Sequence, residues 1–208
     1  MTLAIAAALC VACVADWVAR ATASERLELV SKPLATGLVI ALVLARGGDD
    51  PGARALLIGA LLCCLAGDVL LLPKVDRFVA GLSAFLAAHL LFFAAAAARG
   101  LVAPAPALGV AAAIALCLPL VGRRILAGAR QRDPRLALPV LVYILVVAAL
   151  PVVAAATGRA LALAGALSFV VSDALLGVDR FVRPLGAASA AVMVSYHLAL
   201  VGLALGLG

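Results

Sequence analysis

Charge is scarce in this sequence. Asp, Glu, Lys and Arg make up 12% of its 208 residues, about half the share of roughly 25% found in an ordinary soluble domain. Together with a hydrophobic fraction of 67% and a mean hydropathy of +1.28, that shortage excludes a soluble globular enzyme, a disordered chain and a coiled coil. Alternation is also missing. The apolar runs are continuous Ala, Leu and Val rather than apolar–polar, which excludes a transmembrane β-barrel. The five cysteines, Cys10, Cys13, Cys63, Cys64 and Cys117, fall inside apolar runs and lack metal-site spacing. They read as small buried hydrophobes, with no disulfide. No basic stretch precedes the first apolar run, so the first span is expected to be retained rather than cleaved. No Gly-x-Ser-x-Gly elbow, phosphate loop or His-Glu-x-x-His occurs.

What remains is an all-α polytopic membrane protein, because in hydrocarbon every backbone polar group must be satisfied within its own segment. The Ala, Gly and Leu content suits close helix–helix packing. Eight transmembrane spans can be drawn, at residues 2–19, 31–45, 54–72, 77–98, 101–122, 135–157, 160–177 and 184–207. The second is short for a crossing of about 20 residues; either residues 27–32 extend it or its helix begins at Pro33. The connections are short, and residues 1–208 read as a single transmembrane domain.

The net charge of +6 lies between the apolar runs. It points to topology control and contact with anionic lipid, not to nucleic acid. Alternate connections differ sharply in basic residues. One side carries Arg20, Arg26, Lys32, Lys74, Arg77, Arg123, Arg124, Arg130, Arg132, Arg135, Arg180 and Arg183; the other carries Arg46, Arg54, Arg99 and Arg159. The positive-inside rule then predicts that both termini lie outside, in what would be a bacterial inner (plasma) membrane. There is also an internal echo. Val75-Asp76-Arg77-Phe78-Val79 returns as Val178-Asp179-Arg180-Phe181-Val182, each shortly after a small residue plus aspartate, Gly67-Asp68 and Ser172-Asp173. This predicts a parallel repeat of spans 3–4 and 7–8.

The informative residues of a span are the ionisable ones. Asp16, Lys32, Asp68, His89, Asp173 and His197 lie within spans or at their ends, and Tyr143, Tyr196, Ser83, Ser168 and Ser172 add hydroxyls. Asp16, Lys32, Asp68 and Asp173 fall near the basic side and predict one shallow polar layer there. His89 lies about one level deeper, and Tyr143 enters from the same side. Asp16 stands four residues before Arg20, the spacing of a helix-end ion pair. Lys32 taken alone would snorkel to the headgroups, and His197 reads as structural. Asp68 and Asp173 resist such readings, because an isolated aspartate in a span is expensive. Burial disfavours the charged form of a carboxyl group. Of two acids sharing one half-buried cavity, one can therefore hold a proton to donate while the other stays anionic and stabilises a cation. That arrangement suits hydrolysis through an oxocarbenium ion. No close-spaced set of ligands suggests a metal.

Ordered blocks then carry a resemblance. Ser31-Lys32-Pro33-Leu34, Gly67-Asp68-Val69-Leu70-Leu71, Phe78-x-x-Gly81-x-x-x-Phe85-x-x-x-His89, Gly165-Ala166-x-x-Phe169-x-x-Ser172-Asp173 and Tyr196-x-x-Ala199 resemble the YhhN family, lysoplasmalogenases with eight spans. The resemblance implies a hydrolase that cleaves the vinyl ether bond of a lysophospholipid substrate, a lysoplasmalogen (lysoplasmenylethanolamine or lysoplasmenylcholine), to a fatty aldehyde and a glycerophospho-head-group alcohol, without a cofactor. It points to Lys32, Asp68, His89, Ser172, Asp173 and Tyr196. With the residue reading it gives Asp68, Asp173 and His89 as catalytic, and Lys32, Tyr143, Ser172 and Tyr196 as substrate-binding. The family's Ala-Gln after the span-8 tyrosine is replaced here by Ala199-Leu200, so an amide contact is lost or His197 takes it over. The competing reading is a small proton-coupled lipid or solute transporter, with the aspartates as proton relays. Such a path should place polar residues through to both faces, whereas here they gather on one side.

Overall fold

The computed structural model describes residues 1–102 and 104–208. Among them there are eight long helices and no strand: α1 (Thr2–Ala21), α2 (Glu25–Arg46), α3 (Pro51–Leu70), α4 (Phe78–Ala98), α5 (Pro104–Arg132), α6 (Ala137–Ala156), α7 (Ala160–Phe181) and α8 (Ala190–Leu207). All eight are long and apolar enough to cross a membrane. Short 3-10 turns, Pro134–Leu136 and Gly186–Ser189, lead into α6 and α8.

Local chemistry sets the ends. Asp50 accepts a hydrogen bond from the Ala53 N–H at 3.0 Å, with Pro51 at the first helical position of α3. Gly47, at φ 70°, ends α2 in a left-handed conformation suited to glycine. Two basic residues of the less basic side close α8. Arg99 donates to the Leu207 carbonyl at 2.7 Å and Arg159 to the Gly206 carbonyl at 3.3 Å, placing cations at the negative end of that helix.

Several ends depart from the sequence-drawn spans, for one reason. A span drawn by hydropathy stops at the first charge, but a helix stops where its hydrogen bonds run out. α2 starts at Glu25 and keeps Pro33 inside it, which resolves the choice left open above in favour of the longer helix. α5 continues past residue 122 to Arg132, so Arg123, Arg124, Arg130 and Arg132 ride on helix rather than loop. It ends just before Asp133-Pro134, since proline disfavours helix in the residue ahead of it. α7 runs on to Phe181.

Helices pair in sequence as the hairpins α1–α2, α3–α4, α5–α6 and α7–α8, and α8 sits at the centre against α1, α2, α3 and α7. The α7–α8 seam is built from small residues. Gly165 of α7 lies so close to α8 that a Cβ there would stand 2.5 Å from the Leu203 backbone nitrogen. A Cβ on Gly202 would fall 2.7 Å from the Gly165 Cα. Dispersion across such backbone contacts is what holds helices together in lipid. Gly165→Ala should therefore destabilise the fold by about 1–3 kcal/mol, read as a lowered melting temperature in detergent. An unchanged melting temperature would refute this account of the seam. By contrast α5 is peripheral, with Ile125 and Ala129 as its buried residues.

The two pentapeptide copies meet without matching. The first forms a turn, with Asp76 at φ 38°, and then the start of α4; the second forms the last turn of α7. Arg180 reaches Asp76 at 3.0 Å and stacks 5.0 Å over the Phe78 ring. Phe78 and Phe181 pack edge to face with centroids 5.3 Å apart. The likeness is one of sequence and contact, not of backbone.

Candidate functional site

The buried face of α2 carries Glu28, Lys32 and Thr36, four residues apart and so stacked along one side of the helix. Opposite it, in the last turn of α3, Asp68 has no exposed surface. Three donors converge on this carboxylate. Thr36 donates to Oδ2 at 2.6 Å, Tyr196 of α8 donates to the same oxygen at 2.9 Å, and the Lys32 ammonium stands 3.8 Å from Oδ1. These donors offset part of the cost of burying the carboxylate.

Asp173 of α7 has different company. Tyr143 of α6 donates to its Oδ2 at 2.9 Å, and the His89 Nε2 of α4 lies 3.9 Å from that oxygen. The other histidine nitrogen, Nδ1, is 2.7 Å from the Phe85 carbonyl. A carbonyl only accepts, so Nδ1 carries the hydrogen and a neutral imidazole turns its Nε2 lone pair toward Asp173. An anionic carboxylate would meet that lone pair with like polarity. The contact is favourable when a proton is held by either partner. Phe169 fixes the imidazole from the side, with centroids 4.5 Å apart.

Two cavities adjoin at Asp173. One, of about 60 Å³, gathers the polar side chains Arg20, Glu28, Lys32, Asp68, Ser172, Asp173 and Tyr196 within a mostly apolar wall that includes Phe85 and Met193; it is called the polar cavity below for those side chains. The other, of about 220 Å³, is almost wholly apolar. It runs between α4, α5, α6 and α7 past Leu82, Leu118, Val121, Ile144 and Val147, and it includes Tyr143 and Asp173. Asp173 and Leu176 line both.

The structure thus brings Asp68, Asp173, Lys32, Ser172 and Tyr196 to one cavity, with Tyr143 hydrogen-bonded to Asp173 and the His89 Nε2 facing it at 3.9 Å with no hydrogen-bond partner. The hydroxyls face inward to protein groups. Tyr143 and Tyr196 donate to the carboxylates, and Ser172 donates to the Val192 carbonyl at 3.0 Å. The expected ion pair of Asp16 with Arg20 is absent. Asp16 is fully buried, accepts from Ser31 at 3.0 Å and lies 3.8 Å from the His197 Nε2. Arg20 instead reaches Glu28 at 3.4 Å and Asp179 at 3.8 Å. Four-residue spacing permits a pair, but neighbouring helices offered each partner a nearer one. His197 accepts from the Trp17 indole at 3.0 Å and is not among the residues lining the polar cavity. Thr36 and Glu28 are not marked by the sequence reading, and Arg20 figures in it only as a basic residue and a partner for Asp16. The signal for Thr36 and Glu28 is the four-residue stripe through Lys32. Among the described residues no group of three or more His, Cys, Asp or Glu side chains could hold a metal ion.

The chain is similar to proteins named lysoplasmalogenase from Mycobacterium bovis and Mycobacterium tuberculosis, 35% identical over 151 residues, or 70% of this chain and 58% of theirs. It is also similar to the human lysoplasmalogenase TMEM86B, 34% identical over 148 residues, 71% of this chain and 61% of that one. The matched stretch covers less than two thirds of each relative's length. No solved structure matches. The model of the YhhN family matches residues 27–207, which takes in α2 through α8 and both aspartates, and the chain belongs to that family.

Proposed function

We propose that this protein is a membrane hydrolase that cleaves the vinyl ether bond of lysoplasmalogens, releasing a fatty aldehyde and a glycerophospho-head-group alcohol. The observation that carries the reading is the place of Asp173, on the wall shared by a polar cavity and an apolar groove. A single-chain lipid laid across that wall puts its head group in one, its chain in the other and its vinyl ether beside the acid. Lysoplasmalogenase relatives support the same substrate class.

Asp173, sharing a proton with His89, protonates the β-carbon of the vinyl ether. The positive charge that develops on the α-carbon and ether oxygen is stabilised by the anionic Asp68, which also directs water to the α-carbon. The resulting hemiacetal collapses to aldehyde and alcohol, and the proton released on water addition returns to the Asp173–His89 pair. Lys32 holds the substrate phosphate, helped by Arg20. Tyr143 and Tyr196 fix the two carboxylates rather than the lipid. The basic end of the bundle, which holds this site, faces the cytoplasm, and the termini lie outside.

The test is aldehyde release from an alkenyl lysophospholipid by the protein purified in detergent. Aldehyde should accumulate in step with loss of the alkenyl lipid, while the acyl analogue, which has no vinyl ether to protonate, should yield none. Absence of aldehyde from the alkenyl lipid would overturn the proposal and leave transport as the better reading, since a transporter breaks no bond.

A further inference from the structure

Asp16 of α1 has no part in the chemistry above, yet it is a fully buried acid set between two other helices. Ser31 of α2 donates to its Oδ1 at 3.0 Å. The Ser31 hydroxyl has one hydrogen and also lies 2.8 Å from the Leu27 carbonyl of its own helix; a carboxylate is the stronger acceptor of the two. On the other side, the His197 Nε2 of α8 faces the Asp16 Oδ2 at 3.8 Å. An indole N–H only donates. Trp17, bonded to the His197 Nδ1 at 3.0 Å, therefore leaves the hydrogen of a neutral imidazole on Nε2, the nitrogen turned toward Asp16. This is the opposite tautomer to that of His89, and it suits an anionic partner. Asp16 and Trp17, adjacent on α1, thus engage α2 through Ser31 and α8 through His197.

We propose that Asp16 is a positioning residue for the reaction, holding α2 and α8 in the rotation that aims their side chains at Asp68. The inference rests on the hydrolase reading given above. Ser31 immediately precedes Lys32, and His197 immediately follows Tyr196. All three groups that converge on the Asp68 carboxylate, those of Lys32, Thr36 and Tyr196, stand on α2 and α8, and α1 packs against both helices. A small turn of either helix about its axis swings these heads furthest, because they lie at the ends of their side chains. Apolar contact with α1 is non-directional and does little to resist such a turn, whereas a hydrogen bond fixes direction. A misplacement of about 1 Å at a reacting centre can cost about 10²-fold in rate.

The experiment measures kcat and KM for aldehyde release from an alkenyl lysophospholipid, per folded molecule and well below the melting transition, in wild type, Trp17→Phe, Ser31→Ala and Asp16→Asn. Trp17→Phe removes the indole N–H alone. It should lower kcat about tenfold, the worth of one hydrogen bond to a charged network, and leave KM unchanged, since Tyr196 touches Asp68 and not the lipid. Ser31→Ala should lower kcat by a similar factor and also raise KM, because Lys32 holds the substrate phosphate. An amide has one oxygen and cannot accept from both sides, so Asp16→Asn should lower kcat at least as far as either. If Asp16→Asn does not fold, the two milder variants decide the matter. Variants whose melting temperature falls while kcat and KM per folded molecule stay at wild-type values would overturn the inference and leave Asp16 a purely structural group. Wild type that releases no aldehyde would instead overturn the hydrolase reading, and the inference would fall with it.

Discussion

Asp173→Asn should abolish aldehyde release, by a factor of about 10² to 10⁴, the range in which a positioned general acid contributes. The amide keeps the shape of the side chain and can still accept the 2.9 Å hydrogen bond from Tyr143, so the fold and its melting temperature should survive. What is lost is the exchangeable carboxyl proton. A companion variant separates this from a packing effect. His89→Gln leaves Asp173 in place but removes the group that shares its proton, and it should lower kcat more than it raises KM. Full activity in Asp173→Asn would end the assignment of this side chain as the acid.

A different signature is expected at the other carboxylate. Asp68→Asn should also silence turnover, by about 10² to 10³, as in the loss of a preorganised electrostatic stabiliser. Here, however, the fold should weaken as well. Lys32 is 7% exposed, and its ammonium faces Asp68; removing one partner of a buried pair costs about 3–5 kcal/mol. The double variant Asp68→Asn/Lys32→Met removes both charges and should recover much of the lost melting temperature while remaining inactive. If activity returned together with stability, Asp68 would be a structural partner of Lys32 and nothing more.

The class of the fold was legible because a membrane constrains sequence more tightly than water does. A run such as the one through α6 can satisfy its backbone only as a helix, and all eight helices follow from that single rule. Their ends were less legible. Hydropathy marks where lipid stops, whereas α5 continues to Arg132 until Asp133-Pro134 ends it. At the site, Asp68 and Asp173 stood out because a lone acid in an apolar run has no cheap explanation. Thr36 escaped notice because a hydroxyl can satisfy itself on its own helix, and no rule of spacing reveals that its partner lies across the bundle on α3. Asp16 shows the same limit: Arg20 was near along the chain, but Ser31 and His197 were nearer in space.

The peripheral position of α5 bears on where the products of the proposed reaction go. The apolar groove has a wall built by a helix that buries little of itself against the rest of the molecule, so its flank borders the acyl chains of the bilayer. The polar cavity is bordered by Arg20, at the basic end. Cleavage at the shared wall divides an amphiphile into a greasy half and a water-loving half, each already in the compartment that solvates it better. The aldehyde can diffuse sideways into the leaflet while the glycerophosphodiester leaves into water. Neither has to pass the other, and re-addition of the alcohol to the aldehyde is suppressed by phase separation rather than by a moving part.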